Sequence, residues 1–114
     1  MPKFAFIFRG GGVVEAGLSP TELQAHLVKW RTWIAGLIKD GKAEGGQALE
    51  LGGKTVRGHD KVVSDGPFVE SKDLVTGSLV VIADSLDEAT ALSMGCPVFL
   101  FGGSVEVRPI ATMG

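Results

Sequence analysis

The stretch KFAFIFR at 3–9 is apolar on both faces, and this property constrains the fold more than any other feature of the sequence. Successive residues of a strand point to opposite faces, so its three phenylalanines share one face while Ala5 and Ile7 share the other. A second stretch, GSLVVIAD at 77–84, is almost continuously apolar. A sheet with one face in water normally alternates between apolar and polar residues. We therefore expect both faces of this sheet to be covered.

Two helices are indicated by capping signals at their N-termini. SPTE at 19–22 is a capping box with proline at the first helical position, and a glycine after Asp40 predicts the end of a helix over about 20–40. SLDE at 85–88 is a second capping box and begins a shorter helix that ends at Gly95. Apolar residues at helical spacing predict one buried stripe on the first helix: Leu23, Leu27, Trp30, Ile34, Leu37 and Ile38.

Weaker signals supply the remaining strands. KAEGGQALEL at 42–51 is a glycine-broken strand, and GGKTVRGHDKVV at 52–63 predicts a hairpin that turns near its Gly-His-Asp sequence. SVEVRPI at 104–110 is the last strand. The order β-α-β-hairpin-β-α-β predicts a single α+β domain over 1–114 with a ferredoxin-like fold, which is an antiparallel sheet with two helices on one face.

The two predicted helices can cover only one face of this sheet. The simplest cover for the other face is the same face of a second copy, so we expect a homodimer with two-fold symmetry. The alternative is that the loops at 10–18 and 42–76 fold back over the sheet.

Composition excludes several classes of function. The formal net charge is −2 and no run of Lys or Arg exceeds two residues, so we expect no nucleic-acid partner. The apolar part of the first strand is too short for a signal peptide or a membrane span, so we expect a cytoplasmic protein with no membrane partner. With one cysteine, Cys96, and two histidines far apart in the sequence, we expect no internal disulfide, no metal site and no cofactor.

His26 is the most interesting titratable residue. It lies at the edge of the apolar stripe, near Trp33 and one turn from Glu22, whose carboxylate could hold an imidazolium. The alternative interpretation is an ordinary half-buried surface histidine. His59 lies in the hairpin turn and is expected to be solvated.

Three further residues have both a structural and a chemical interpretation. Asp65 begins an Asp-Gly-Pro turn anchored by Phe68, or it orients or accepts a proton, which requires a histidine within about 3 Å. Arg108 forms an ion pair with Glu106 on a strand face, or it holds an anionic substrate. Cys96 is a nucleophile, which needs a basic or helix-N-terminal setting, or an inert apolar residue; because it follows a helix C-terminus, we expect the inert role.

Three motifs carry a resemblance to a known family. They are SDGPFVESKD at 64–73, GSLVVIADSLDEA at 77–89 and CPVFLFGGSVEVRPI at 96–110. In this order they resemble the DGPF branch of the YCII-related family, whose defining run is matched at 65–68. The resemblance covers most of the chain. It implies a ferredoxin-like fold that dimerises sheet to sheet into a dimeric α+β barrel, with a cleft between the helices and the sheet.

The resemblance also implies possible activities. Some YCII-related members eliminate chloride from chlorinated hydroquinones, and a histidine–aspartate pair has been proposed for them. Some DGPF members are associated with extracytoplasmic-function sigma factors. In this chain the family's histidine is matched by His26 or, one turn earlier on the same helix face, by Glu22. Members often carry Asp-Pro after the second helix, where this chain has Cys96 and Pro97, so Asp65 is the remaining candidate for the aspartate.

Two functional hypotheses follow. In the first, the chain is a module that binds a small-molecule ligand or a protein partner in a sigma-factor-linked circuit. In the second, it is a dehydrochlorinase-like acid/base lyase for a small phenolic or anionic substrate, with His26 as proton carrier and Asp65 as its partner. The expected substrate contacts are Glu22, Trp33, Phe68 and Arg108.

Overall fold

The computed structural model describes residues 2–10, 17–66 and 73–112. These residues form six strands, two α-helices and one 3-10 helix, Pro97–Phe101, which follows the second α-helix. In chain order the other elements are β1 Lys3–Arg9, α1 Pro20–Lys39, β2 Ala43–Ala48, β3 Lys54–Arg57, β4 Val62–Asp65, β5 Val75–Ile82, α2 Leu86–Ser93 and β6 Ser104–Pro109.

The strands form two antiparallel sheets. The larger sheet has four strands in the order β2-β5-β1-β6, and β3 and β4 pair as a separate two-stranded hairpin. This strand order and the two helices confirm the predicted ferredoxin-like α+β fold. The hairpin prediction is also confirmed, although β4 continues to Asp65, so that Asp65 is a strand residue and the left-handed Gly66 makes the bend. No helix in the described ranges is long and apolar enough to cross a lipid bilayer.

Both ends of α1 agree with the sequence prediction. The Ser19 hydroxyl accepts a hydrogen bond from the Glu22 backbone N–H, and the Glu22 carboxylate accepts one from the Ser19 N–H, which completes the capping box. At the other end the chain leaves the helix through Asp40 and then Gly41, whose φ of 71° is left-handed.

The two faces of the four-stranded sheet have different cover. Phe6 is paired with Leu79 and Val107 on the face that the helices cover, and Phe6 and Leu79 are fully buried. The indole of Trp33 on α1 stacks on the Phe6 ring at a centroid distance of 6.3 Å. The opposite face, which we call the open face, includes the half-buried apolar residues Ala5, Ile7, Val80 and Ile82 beside the polar residues Ser78, Glu106 and Arg108.

The predicted stripe on α1 is confirmed at Trp30, Ile34 and Leu37 and is wrong at its other three positions. Leu23 and Leu27 are each 39% exposed, and Ile38 is 47% exposed. His26, which the stripe did not include, is buried instead, and Trp33 is partly buried. The reason is that the indole rings of α1 pack on Phe6 and Phe8 of β1, and these contacts fix the rotation of α1 about its own axis.

Two glycines, Gly46 on β2 and Gly77 on β5, are a packing requirement. A Cβ atom at Gly46 would overlap the backbone carbonyl oxygen of Ser78 on β5, and one at Gly77 would lie 2.6 Å from the Gln47 carbonyl oxygen. Gly36 in α1, by contrast, has nothing within 4 Å of the position that a Cβ would take. Glycine is therefore needed where β2 and β5 approach closely, and it is dispensable in the helix.

We predict opposite effects for the same substitution at these two sites. Gly36→Ala should raise the free energy of unfolding by about 0.5–1 kcal/mol, because alanine loses less conformational entropy in a helix. Gly46→Ala should lower it by about 1–3 kcal/mol, because the new methyl group forces the strands apart. Urea denaturation of both variants measures the difference. Equal and small effects would contradict the close approach of β2 and β5.

Candidate functional site

Two cavities lie on the side of α1 that meets the 3-10 helix and the turn before it. A larger cavity of about 560 Å³ lies between Val28, Lys29, Thr32 and Trp33 of α1 and the segment 94–100. A smaller cavity of about 360 Å³ is lined by Glu22, Ala25, His26 and Lys29, together with Leu100 and Phe101. Because both cavities share Lys29 and Leu100, we treat them as one site and call it the α1 groove.

His26 is the most buried polar side chain of the groove, with 7% of its surface exposed. The indole Nε1–H of Trp30 donates a hydrogen bond to the imidazole Nε2 at 3.0 Å, and the Phe101 ring meets the imidazole edge to face at 4.9 Å between centroids. An indole nitrogen can only donate, so Nε2 must be the acceptor. We therefore assign the proton of the neutral ring to Nδ1.

The Nδ1 atom of His26 is buried and has no hydrogen-bond partner among the described residues. Burial lowers the pKa of His26 from its ordinary value, and the positive charge of Lys29 lowers it further. Both effects favour the neutral ring that the Trp30 hydrogen bond requires. A residue that lines the groove therefore carries a buried hydrogen-bond donor without a partner among the described residues.

Glu22 lines the same cavity as His26, but its carboxylate has another role. It accepts the hydrogen bond from the Ser19 backbone N–H at 3.2 Å as part of the capping box. The expected pairing of Glu22 with a His26 imidazolium is not formed, because the carboxylate caps the helix and the ring is neutral.

Trp33 and Cys96 lie in the larger cavity. Trp33 forms part of its wall while its other side packs on Phe6 and Phe8. Burial raises the pKa of the Cys96 thiol to about 11, and its sulfur accepts a weak hydrogen bond from the Val98 N–H at 3.5 Å. A thiol with this pKa is not a nucleophile near neutral pH, in agreement with the inert role expected from the sequence.

Asp65 does not meet His26 within one chain. Its carboxylate is bound by Lys54 Nζ at 2.6 Å, and its side chain is 90% exposed. It belongs to the β3–β4 hairpin, which is a separate sheet from the one that α1 packs on. The His26 ring instead accepts a hydrogen bond from the Trp30 indole N–H. Phe68, the other expected contact from this motif, lies outside the described residues.

Arg108 lies on the opposite side of the sheet from His26. It is paired with Ala5 across β1 and β6, which places it on the open face. Its Nε lies 3.7 Å from Glu106 Oε2, while Arg9 binds the other carboxylate oxygen of Glu106 at 3.2 Å. The alternation of side chains along β6 therefore separates Arg108 from the α1 groove and makes it part of an ion-pair cluster.

Some residues of the groove were missed by the sequence analysis. Lys29 follows His26 by three positions, and this spacing alone places the two on one helix face. Leu100 and Phe101 reach α1 only because a 3-10 helix follows α2, and no local pattern indicates that contact. Within the described residues, no group of three or more His, Cys, Asp or Glu side chains could hold a metal ion.

We predict that His26 makes folding stability depend on pH. Its folded-state pKa is lowered, so the unfolded chain binds this proton more readily than the folded chain. The stabilisation is therefore present above the unfolded value of about 6.5 and is lost as pH falls through that value toward the folded pKa. The urea midpoint should fall over this range. In His26→Gln, whose amide oxygen can still accept from Trp30, this part of the fall should disappear.

The control is His59→Gln in the exposed hairpin turn, which should retain the wild-type pH profile. Long-range ¹H–¹⁵N NMR of the wild-type protein should show a protonated Nδ1 and an unprotonated Nε2 for His26. A wild-type profile in His26→Gln, or a proton on Nε2, would contradict the assignment.

Comparison with known proteins gives a family and a fold. The YCII-related domain profile matches residues 14–114. Among solved structures, the chain is similar to 5-chloro-2-hydroxyhydroquinone dehydrochlorinase (TftG) from Burkholderia phenoliruptrix AC1100, in complex with 2,5-dihydroxybenzoquinone, with a TM-score of 0.51 and 19% identity over 98% of this chain and 95% of that chain. No curated protein matches. The likeness to TftG shows a shared fold, and the profile match shows that this chain belongs to the YCII-related domain family.

Proposed function

We propose that this protein binds a small molecule in the α1 groove through an oxygen atom that accepts the Nδ1–H of His26. The observation that supports this proposal is the buried Nδ1 without a hydrogen-bond partner among the described residues, on a ring that lines a cavity. A buried donor left unpaired costs about 1–3 kcal/mol, and a ligand oxygen would remove this cost.

The surroundings of His26 agree with a binding role. Trp30 and Phe101 fix the ring on two sides, so its donor is held in place before a ligand arrives. Preorganisation of this kind reduces the entropy lost on binding. The cavity volumes of about 360 and 560 Å³ suit a small ligand.

A second candidate function is an acid/base lyase of the dehydrochlorinase type. The structural similarity to TftG favours it, since that protein is a dehydrochlorinase. The geometry of a single chain favours it less. Removal of a proton from a substrate needs a free acceptor, and the Nε2 lone pair of His26 is occupied by Trp30 while Asp65 is bound to Lys54. We therefore place ligand binding first.

We also propose that the chain belongs to the DGPF branch and forms a homodimer through its open face. The branch assignment rests on the DGPF run at 65–68, and a sigma-factor-linked protein partner would follow from that branch alone. The dimer rests on the half-buried apolar side chains of Ala5, Ile7, Val80 and Ile82, which a second copy would cover.

The ligand proposal predicts measurable binding of 2,5-dihydroxybenzoquinone by isothermal titration calorimetry. His26→Gln should weaken binding about threefold to tenfold, because one neutral hydrogen bond contributes about 0.5–1.5 kcal/mol. His59→Gln should leave the affinity unchanged. Equal affinities for wild type and His26→Gln would contradict the proposal. Release of chloride from 5-chloro-2-hydroxyhydroquinone at a rate that depends on His26 would favour the lyase instead.

The dimer proposal predicts that the wild-type protein sediments at twice the chain mass of 11.9 kDa. Ile7→Thr should raise the dissociation constant at least tenfold, because it places a hydroxyl group in an apolar interface. Leu86→Thr, on the exposed start of α2, should have no effect. Circular dichroism should show that both variants are folded. A wild-type protein that stays folded as a single copy at micromolar concentration would refute the interface.

A further inference from the structure

The two cavities of the α1 groove differ in chemistry. The larger one has apolar walls, including the indole of Trp33 and the exposed side chains of Met94 and Phe99. The smaller one contains the unpaired donor of His26. A single ligand that used both cavities would need an apolar part and a polar part.

Lys29 lies where the two cavities meet, since it lines both of them. It makes no ion pair with a described residue, whereas Lys3, Lys42 and Lys54 each bind a carboxylate. Its position three residues after His26 places it on the same face of α1. The groove therefore has a lysine without an ion-pair partner among the described residues, on the same helix face as His26.

We propose that the α1 groove binds an amphiphilic anion, whose apolar body lies in the larger cavity against Trp33 and whose oxygen-bearing head meets Lys29 and His26 at the junction. This inference rests on the proposed function, because it keeps a ligand oxygen at His26 Nδ1. It adds a second subsite and a charge preference. Lysine is suited to the role because its ammonium is a mobile point charge on a flexible stem.

Glu22 is the one acidic residue that lines either cavity among the described residues. Its carboxylate accepts the Ser19 N–H at the start of α1, seven residues before Lys29. It repels an anion that enters the smaller cavity. Because Glu22 precedes His26 on α1 and Lys29 follows it, this repulsion favours a head held between His26 and Lys29, with the rest of the molecule in the larger cavity.

Straight-chain carboxylates from acetate to decanoate test the apolar subsite, with the alcohols of the same length as neutral counterparts. Affinity measured by calorimetry should rise about fourfold for each methylene that enters the larger cavity, until the cavity is filled. Each carboxylate should bind about tenfold or more tightly than its alcohol, because the charged head pairs with Lys29.

Six variants separate the contributions. Lys29→Met should abolish the preference for carboxylate over alcohol, Lys29→Arg should retain it, and Lys39→Met at the end of the same helix should not change it. Val28→Phe, which fills the larger cavity, should remove the dependence on chain length, whereas Leu27→Phe outside the groove should not. Glu22→Gln keeps the capping hydrogen bond but removes the repulsion, so it should tighten carboxylate binding several-fold.

Different results would overturn the amphiphilic-anion proposal and the proposed binding at His26. If acetate and decanoate bind equally, or if Lys29→Met leaves the carboxylate preference intact, the amphiphilic anion is wrong while binding at His26 stands. Absence of binding for the whole carboxylate series also overturns it. If 2,5-dihydroxybenzoquinone binding does not depend on His26, the underlying proposed function fails as well.

Discussion

The packing of two tryptophans of α1 on two phenylalanines of β1 is the interaction on which the rest of the structure depends. Trp33 stacks on Phe6, and Trp30 meets Phe8 edge to face at 4.9 Å between centroids. Each aromatic pair contributes about 0.5–1.5 kcal/mol beyond its buried area, and the geometry is directional. These contacts set the rotation of α1 about its axis. That rotation carries His26 inward, although a more apolar stripe lies next to it on the helix.

The α1 groove is formed by two segments that are far apart in the sequence. After α2 the chain turns through Cys96 into the 3-10 helix, which lays Leu100 and Phe101 along α1. The left-handed Gly102 then ends this helix and directs the chain into β6. The position of the 3-10 helix along α1 closes one side of the cavities.

The sequence predicts the elements of this fold well because their signals are local. The capping box at 19–22 and the alternating residues of β1 each act within a few residues, and both appear in the structure as expected. The rotation of α1 is not local, since it depends on rings that belong to another element. His26 could be chosen from the sequence as a site residue, and the helical spacing of Lys29 made that residue predictable too, whereas Phe101 could not be predicted because it belongs to another element. The sequence alone does not show that Arg108 and His26 lie on opposite sides of the sheet, because this depends on the register between β1 and β6.

The hydrogen bond from Trp30 to His26 determines what kind of chemistry the groove can support. While the Trp30 indole N–H donates to Nε2, the imidazole can donate its Nδ1–H but has no free lone pair that could accept a proton. A family member with an apolar residue at this helical position would present the same histidine with a basic nitrogen. A single replacement one helical turn away from the histidine would thus convert a hydrogen-bond donor into a proton acceptor, or the reverse.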